Sequence, residues 1–191
     1  GFLVAVGIAG LAYAAGALDR GGALAAALLG TLVYGLGGLD WAVLMVAFFV
    51  SSSALSRLFK RRKAGLNAVF SKGGKRDAGQ VLANGGAAGL FVALHALFPS
   101  ETWPWLAFAG SLAAVNADTW ATELGVLSRA QPRLITSGQP VERGTSGGIT
   151  ILGMFAALSG ALLIGGLAAG LGWGGAAFAA AAKKIATESE F

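Results

Sequence analysis

Long apolar stretches alternate with short polar or glycine-rich breaks along the whole chain. Most of the stretches approach the ~20 residues that a helix needs to cross ~30 Å of hydrocarbon, and only the second is clearly shorter. Helices satisfy their backbone hydrogen bonds internally, which lipid requires. The pattern therefore predicts an all-α fold, a polytopic transmembrane bundle in one domain, with about six helices over residues 2–18, 23–36, 41–58, 78–98, 104–127 and 147–171.

The end of the chain departs from this pattern. A glycine-rich turn is predicted at 172–175, and the apolar residues that follow stop at 182. Ten residues give roughly 15 Å of helix, about half of what a crossing requires. We therefore expect residues 183–191 to be a short polar tail that is truncated or not native.

Composition agrees with an integral membrane protein. The 191 residues are 55% hydrophobic and 12% charged, whereas a soluble domain carries roughly 25% charged residues. A net charge of +5 would suggest nucleic-acid binding in a soluble protein, but here the basic residues lie in loops, so we expect no nucleic-acid partner. The absence of cysteine excludes disulfides and thiolate metal sites. The composition is compatible with a homo-oligomer.

The charges of the loops predict an orientation. If the helices alternate in direction, the loops 19–22, 57–77 and 128–146 lie on one side, and the opposite loops contain Asp40 and Glu101 but no Lys or Arg. The positive-inside rule then places the basic loops in the cytoplasm and the N-terminus outside, in the cell's inner (plasma) membrane. The cytoplasmic set holds twelve of the fourteen basic residues: Arg20, Arg57, Lys60, Arg61, Arg62, Lys63, Lys72, Lys75, Arg76, Arg129, Arg133 and Arg143.

The fifth apolar run contains a polar stretch at 116–125. Ionisable groups at membrane depth are costly to insert and by default mark a functional site. At a rise of about 1.5 Å per residue, Asp118 lies ~20 Å and Glu123 ~27 Å from the outer end of the helix. Hydrogen bonding between helices is the simpler alternative, but Ser or Asn could supply it without the cost of two carboxylates. The polar side chains of the stretch are Asn116, Asp118, Thr119, Thr122 and Glu123.

Polar residues of neighbouring runs reach a similar depth. Arg76, Gln80 and Asn84 are spaced four residues apart and share one helical face. The pattern predicts a cavity that opens to the cytoplasm between these helices. At ~100° per residue, Asp118 and Glu123 lie ~140° apart. Either the helix is broken or kinked near 116–125, which would let both carboxylates hold one metal ion, or the two carboxylates serve different neighbours.

A polar loop before the sixth run resembles a phosphate-binding segment. Gly144, Thr145, Ser146 and Gly147 precede the helix, and free N–H groups, glycine and hydroxyls at a helix start suit a phosphate. The loop is not a Walker A sequence, and a plain glycine-rich helix start explains it equally well. Basic residues 61–63 fix topology and contact anionic membrane lipid, whereas Lys72, Lys75 and Arg76 are candidates for anion binding. These residues together suggest Mg²⁺ and a phosphorylated ligand, hence phosphoryl or nucleotidyl transfer to a lipid.

The same segments resemble a known family. The sequences KRDAGQVLANG at 75–85, NADTWATELG at 116–125, PRLIT at 132–136 and VERGTSGG at 141–148 are similar, in order and spacing, to the phytyl-phosphate kinase family, which includes vertebrate transmembrane protein 19. The resemblance implies a prenyl-phosphate kinase that makes a prenyl diphosphate from the monophosphate with a nucleoside triphosphate, CTP or ATP, CTP being favoured. Members of the family have a further C-terminal segment with a Gly-Ser-Leu-x-Asp-Ser-like motif, which has no counterpart in this chain.

On this interpretation the site residues have distinct roles. Asp118 and Glu123 hold Mg²⁺ or position the attacking phosphate. The cations Lys75, Arg76 and Arg143 neutralise charge on the transferred group, because phosphoryl transfer depends mainly on positioning and electrostatics. A lipid-phosphate transporter or flippase, and another CTP-dependent lipid-phosphate transferase, are the alternatives. The substrate and phosphate ligands are expected to be Gln80, Asn84, Asn116, Thr119, Thr136, Arg143, Gly144, Thr145, Ser146 and Gly147.

Overall fold

A computed structural model describes residues 1–59 and 75–188 of the chain. The basic residues 60–63 and Lys72, for which the sequence predicts topological and anion-binding roles, lie outside the described residues, as do 189–191. Helices dominate, and one short antiparallel strand pair joins residues 133–134 to 148–149. In chain order the elements are α1 (Phe2–Ala14), α2 (Arg20–Gly37), α3 (Leu39–Leu58), α4 (Ala78–Leu97), α5 (Trp103–Gly125), β1 (Arg133–Leu134), β2 (Gly148–Ile149) and α6 (Ile151–Glu188).

Four of the described helices are long and apolar enough to cross a membrane. They are α2, α3, α4 and the first part of α6, Ile151–Gly172. Helix α1 is apolar but shorter, and α5 has 23 residues but carries the polar stretch at 116–125. The polytopic all-α class that the sequence predicts is confirmed for the described residues.

The boundary between the first two helices differs from the prediction. Helix α1 ends at Ala14 because Gly16 adopts a positive φ of 71° and turns the chain. The side chain of Asp19 then accepts a hydrogen bond of 2.7 Å from the N–H of Gly22, which caps α2 at its N-terminus. Residues 19–22, predicted as a connecting loop, therefore form the cap and first turn of α2, which reaches 18 residues.

Aromatic and aliphatic side chains from α2 to α6 form the main core. Trp41 packs against Phe108 with ring centroids 4.7 Å apart and stacks on His95 at 4.9 Å. Leu112 and Ile164 are fully buried in the same cluster. Trp41 itself is 6% exposed and belongs to the core. His95 packs against it from α4.

Helix α6 also differs from the sequence pattern. It begins at Ile151 rather than 147, because residues 148–149 form β2. It continues without a turn at 172–175 and ends at Glu188. The alanine-rich segment 176–182 explains this continuity, since alanine has the highest helix propensity and outweighs the cost of the preceding glycines.

Candidate functional site

The polar stretch of α5 lies on an unbroken helix. Helical structure continues from Trp103 to Gly125, so the break expected near 116–125 is absent. Asp118 and Glu123 therefore keep the ~140° separation of a regular helix. Asp118 is exposed and lines a cavity between α5 and α6, whereas Glu123 contacts α3. The structure thus places the two carboxylates in different surroundings and does not bring them to one shared ion.

Glu123 belongs to a polar cluster between α3, α4 and α5. Its Oε1 accepts a hydrogen bond of 2.9 Å from the hydroxyl of Ser56. The guanidinium of Arg76 donates to the hydroxyl of Ser53, one turn earlier on α3. The guanidinium carbon of Arg76 also lies 5.4 Å from the centre of the Phe49 ring, in cation–π contact. This cluster, called the Arg76 cluster below, joins the C-terminal parts of α3 and α5 to the segment that precedes α4.

The backbone of Arg76 is fixed by the α1–α2 connection. Its N–H donates to the carbonyl of Ala17 at 2.9 Å, and its carbonyl accepts from the N–H of Asp19 at 3.1 Å. Burial lowers the pKa of the Arg76 guanidinium, the carboxylate of Glu123 raises it, and the charge of Arg57 lowers it. Arg76 is thus a partly desolvated cation whose position depends on backbone contacts rather than on side-chain packing alone.

The other predicted residues of α4 and its preceding loop lie beside this cluster. Asn84 lines an apolar cavity together with Arg76. Gln80 is one turn closer to the start of α4, where its N–H donates to the capping carboxylate of Asp77 at 2.8 Å. Lys75 is exposed, and its Cε lies 3.9 Å from the position that a Cβ on Gly16 would occupy. Arg76 precedes the N-cap Asp77 and so lies outside α4, and of the three residues predicted to share a helical face only Arg76 and Asn84 line this cavity.

The glycine-rich loop borders a second cavity of about 450 Å³, here called the loop cavity. Asp118, Thr122 and Gly125 line it from α5. The cavity therefore combines one carboxylate, one guanidinium, several hydroxyls and glycine backbone. The loop side is formed by Arg143, Gly144, Thr145, Ser146, Gly147 and Gly148.

Glycine turns leave backbone donors of this loop open. Gly144 and Gly147 have positive φ values of 89° and 76°, a conformation that glycine adopts without steric cost. The N–H of Gly148 donates to the carbonyl of Thr145 at 3.0 Å. Within the described part of the chain, no hydrogen bond uses the N–H of Gly144, Ser146 or Gly147. Free backbone N–H groups beside an Arg side chain are an arrangement that binds anions.

The start of α6 closes the loop cavity against α5. Thr150 caps α6 by accepting a hydrogen bond of 3.1 Å from the N–H of Gly153. A Cβ on Gly153 would lie 3.3 Å from the Cα of Gly125, so the two helices approach with little room for side chains. Glycine at both positions allows this close approach, which is typical of helix packing in membranes. The N-terminus of α6 consequently lies beside Asp118 and the loop.

Three predicted ligands lie elsewhere. Asn116 is fully buried: its Oδ1 accepts from the hydroxyls of Ser51 and Ser52 at 3.1 and 3.0 Å, and its Nδ2 donates to the carbonyl of Gly160 at 2.8 Å. It joins α3, α5 and α6 as a packing residue. Thr119 donates to the carbonyl of Val115 on its own helix. Thr136 is exposed in the turn after β1 and is not among the residues that line the loop cavity.

Thr122 is a site residue that the sequence analysis did not select. It lies four residues after Asp118, on the same face of α5, and lines the loop cavity. The four-residue spacing would have identified it. Phe49 was missed for a different reason: nothing in an apolar run marks the phenylalanine that contacts a distant arginine.

A magnesium ion of the kind that the polar residues of the sequence suggest fits only one side of α5. The described residues contain no group of three or more His, Asp or Glu side chains that could hold a metal. Magnesium is commonly bound by one or two carboxylates together with substrate phosphates. Asp118, exposed in a cavity with anion-binding groups, satisfies that requirement for an ion that arrives with a nucleotide. Glu123 does not line this cavity.

Comparison with known proteins supports the assignment that the motifs suggested. A family model described as "Integral membrane protein DUF92" matches residues 3–187. The chain belongs to the DUF92 family of integral membrane proteins. The family resemblance inferred from the sequence motifs is thereby confirmed, and so is the prediction of an integral membrane protein. No solved structure matches the chain.

Relatives come from plants, archaea and cyanobacteria. Protein PGR of Arabidopsis thaliana is 36% identical over 171 residues, 83% of this chain and 59% of that protein. An uncharacterized membrane protein of Methanocaldococcus jannaschii is 36% identical over 148 residues, 78% of this chain and 60% of its own length. One of Synechocystis sp. is 31% identical over 169 residues, with 85% and 65% covered. The chain therefore spans about three fifths of the length of these relatives.

Proposed function

We propose that this protein is a membrane-embedded prenyl-phosphate kinase, which transfers the γ-phosphoryl group of a nucleoside triphosphate, CTP or ATP, to a prenyl monophosphate. The observation that carries the proposal is the loop cavity, where a carboxylate, a guanidinium and free backbone N–H groups converge beside a helix start. These groups suit the phosphates of a nucleotide. Their place in an integral membrane protein suggests that the acceptor is a lipid.

The reaction needs little covalent chemistry from the protein. A phosphate oxygen of the lipid forms a bond to the γ-phosphorus, the bond from that phosphorus to the β–γ bridging oxygen breaks, and the nucleoside diphosphate leaves. Positioning and charge stabilisation supply most of the catalysis in such transfers. Magnesium, when bound with the nucleotide, neutralises part of the phosphate charge.

The side chains of the loop cavity would act on the nucleotide. Arg143 neutralises negative charge on the phosphates, and the hydroxyls of Thr145 and Ser146 hydrogen-bond to phosphate oxygens. Asp118 supplies the carboxylate for the magnesium ion. Arg76 and Glu123 would position the acceptor phosphate where the ends of α3 and α5 and the start of α4 meet, close to Gly125 and Val126, which border the loop cavity.

The basic loops favour a cytoplasmic site. With the twelve basic loop residues in the cytoplasm, the loop cavity and the Arg76 cluster both lie at the cytoplasmic leaflet of the plasma membrane. Nucleoside triphosphates are available on that side. A transporter would place its ligand near the midplane between repeated halves, whereas the polar residues here lie toward one end.

Product formation tests the proposal. Full-length protein purified in detergent is incubated with Mg²⁺, CTP or ATP, and geranylgeranyl or phytyl phosphate, and lipid products are separated by chromatography. We expect a prenyl diphosphate that depends on nucleotide and on Mg²⁺. If no combination of triphosphate and prenyl phosphate yields a diphosphate, the proposed activity is wrong. Asp118→Asn is the matched variant that should remove the product.

A further inference from the structure

An apolar cavity of about 110 Å³ lies between α1, α2, α3 and α4. Its α1 side is formed by Ala5, Ala9 and Ala12, which are small and buried, and its α3 side includes Met45 and Phe49. The lining extends over nine residues of α1, from Val4 to Ala12, or roughly 12 Å along the helix. None of its lining residues lines the loop cavity. It is a second and separate pocket.

The charged side chain of this cavity lies at one end. Arg76 lies there, near Leu18, whereas Asn84 follows eight residues later and Tyr34 lies at the opposite end, beside Gly1. The cationic end is also the end where Ser53, Ser56 and Glu123 meet. A narrow apolar cavity with one cation at its mouth is complementary to a molecule with a single apolar chain and an anionic head.

Arg76 is the charged residue that lines this end of the cavity. The carboxylates of Asp19 and Asp77 accept hydrogen bonds from helix N–H groups and cap α2 and α4. The guanidinium of Arg57 donates to the carbonyl of Ala15. The guanidinium of Arg76 is therefore the cation that an anionic head in the cavity would contact.

We propose that this cavity is the binding site of the lipid acceptor, holding one prenyl chain between α1 and α3 with its phosphate at Arg76. The inference deepens the proposed kinase function and rests on it for the identity of the lipid. It places the lipid phosphate beside Glu123 near the C-terminal end of α5, where Gly125 and Val126 border the loop cavity, so that the phosphate reaches the γ-phosphoryl group past the end of this helix. The far part of a longer prenyl chain extends past Val4 and Tyr34 into the membrane.

Binding without nucleotide tests this site separately from catalysis. Full-length protein in detergent is titrated with labelled geranylgeranyl phosphate and, in parallel, with geranylgeraniol, which lacks the phosphate. Ala9→Trp fills the cavity, and Ala14→Trp places the same side chain at an exposed position of α1 that is not part of the lining. We expect Ala9→Trp to weaken binding of both lipids at least about tenfold, and Ala14→Trp to leave binding unchanged.

The head of the lipid is tested at Arg76. Arg76→Gln should weaken binding of the phosphate at least about tenfold while leaving the alcohol unchanged, and Arg76→Lys should restore part of the loss. If wild-type protein binds the alcohol as tightly as the phosphate, the cavity holds ordinary membrane lipid and the proposal is overturned. Equal binding by wild type and Ala9→Trp would overturn it as well.

Photolabelling of the wild-type protein covers the case in which a variant does not fold. A prenyl phosphate with a diazirine in its chain should form adducts on lining residues such as Val4, Ile8 and Val46. Adducts confined to exposed residues of α6, such as Phe155 and Leu162, would contradict the site. Labelling of the cavity without diphosphate formation would support the lipid site and contradict the kinase function. Diphosphate formation that Ala9→Trp does not change would support the kinase function and contradict the lipid site.

Discussion

The contact between α2 and the backbone of Arg76 gives a sharp stability prediction. A Cβ added to Gly22 would lie 2.2 Å from the carbonyl oxygen of Arg76, and real Cβ contacts are essentially never below 3.0 Å. In a close-packed interior the Arg76 carbonyl must then move by about 1 Å. That movement disturbs the hydrogen bonds of Arg76 with Ala17 and Asp19, of 2.9 and 3.1 Å. Gly22→Ala therefore displaces the residue on which the Arg76 cluster depends.

The size of the effect follows from three terms. Overpacking costs ~1–3 kcal/mol, and each weakened hydrogen bond costs up to about 1 kcal/mol. Replacing glycine by alanine in a helix stabilises the folded state by ~0.5–1 kcal/mol. We expect Gly22→Ala to lower the free energy of unfolding by about 2 kcal/mol. Gly21→Ala is the control, because a Cβ on Gly21 would lie 3.5 Å from its nearest neighbour, Asp19 Oδ1, and fits without movement.

Thermal unfolding in detergent, followed by tryptophan fluorescence, measures the difference between the two variants. Gly21→Ala should unfold at or slightly above the wild-type temperature and Gly22→Ala clearly below it. Gly22→Ala should also weaken binding of prenyl phosphate, because Arg76 moves. Equal melting temperatures for the two variants would show that the backbone of Arg76 does not approach α2 as described, and the reasoning would be refuted.

Three further predictions concern α5 and the loop. Asn116→Ala should lower the melting temperature, since it removes the hydrogen bonds to Ser51, Ser52 and Gly160 at ~0.6 kcal/mol each, yet the folded fraction should keep wild-type affinity for nucleotide; a selective loss of affinity would make Asn116 a ligand. Arg143→Gln should raise the KM for nucleotide about tenfold or more, whereas Arg129→Gln, in the same loop but outside the cavity lining, should not; equal effects would exclude a specific role for Arg143. Glu123→Gln should raise the KM for prenyl phosphate but not for nucleotide in steady-state kinetics. A raised KM for nucleotide alone would assign Glu123 to the nucleotide instead of the acceptor.

Much of the fold follows from local sequence patterns. The apolar runs predict the helices because backbone groups in lipid must be paired internally, and Asp77 and Pro104 mark helix starts through capping and a fixed φ. The prediction failed at Asp19, which was assigned to a loop but caps α2. It failed again at 172–175, where four residues typical of a turn lie inside α6. In both places local turn chemistry competes with helix formation, and the sequence alone does not show which prevails.

The site could be predicted only where it depends on local helix geometry. The angle between Asp118 and Glu123 is a property of the helix, so the separation of their roles was one of two outcomes that the spacing allowed. Asn116 could not be distinguished from a ligand, because its partners Ser51, Ser52 and Gly160 lie on other helices. The apolar cavity likewise depends on how four helices pack. Such long-range contacts leave no local signal.

The central claim is that Asp118 and the loop cavity bind the nucleotide whose phosphoryl group is transferred to the lipid. The most direct measurement follows label from the γ-phosphate of CTP or ATP into prenyl diphosphate, with wild type, Asp118→Asn and the neighbouring Thr119→Val compared at equal folded concentration. We predict labelled diphosphate from wild type and Thr119→Val, and a loss of about 100-fold or more in kcat/KM for Asp118→Asn. Labelled diphosphate at wild-type rate from Asp118→Asn, or none from wild type, would contradict the account.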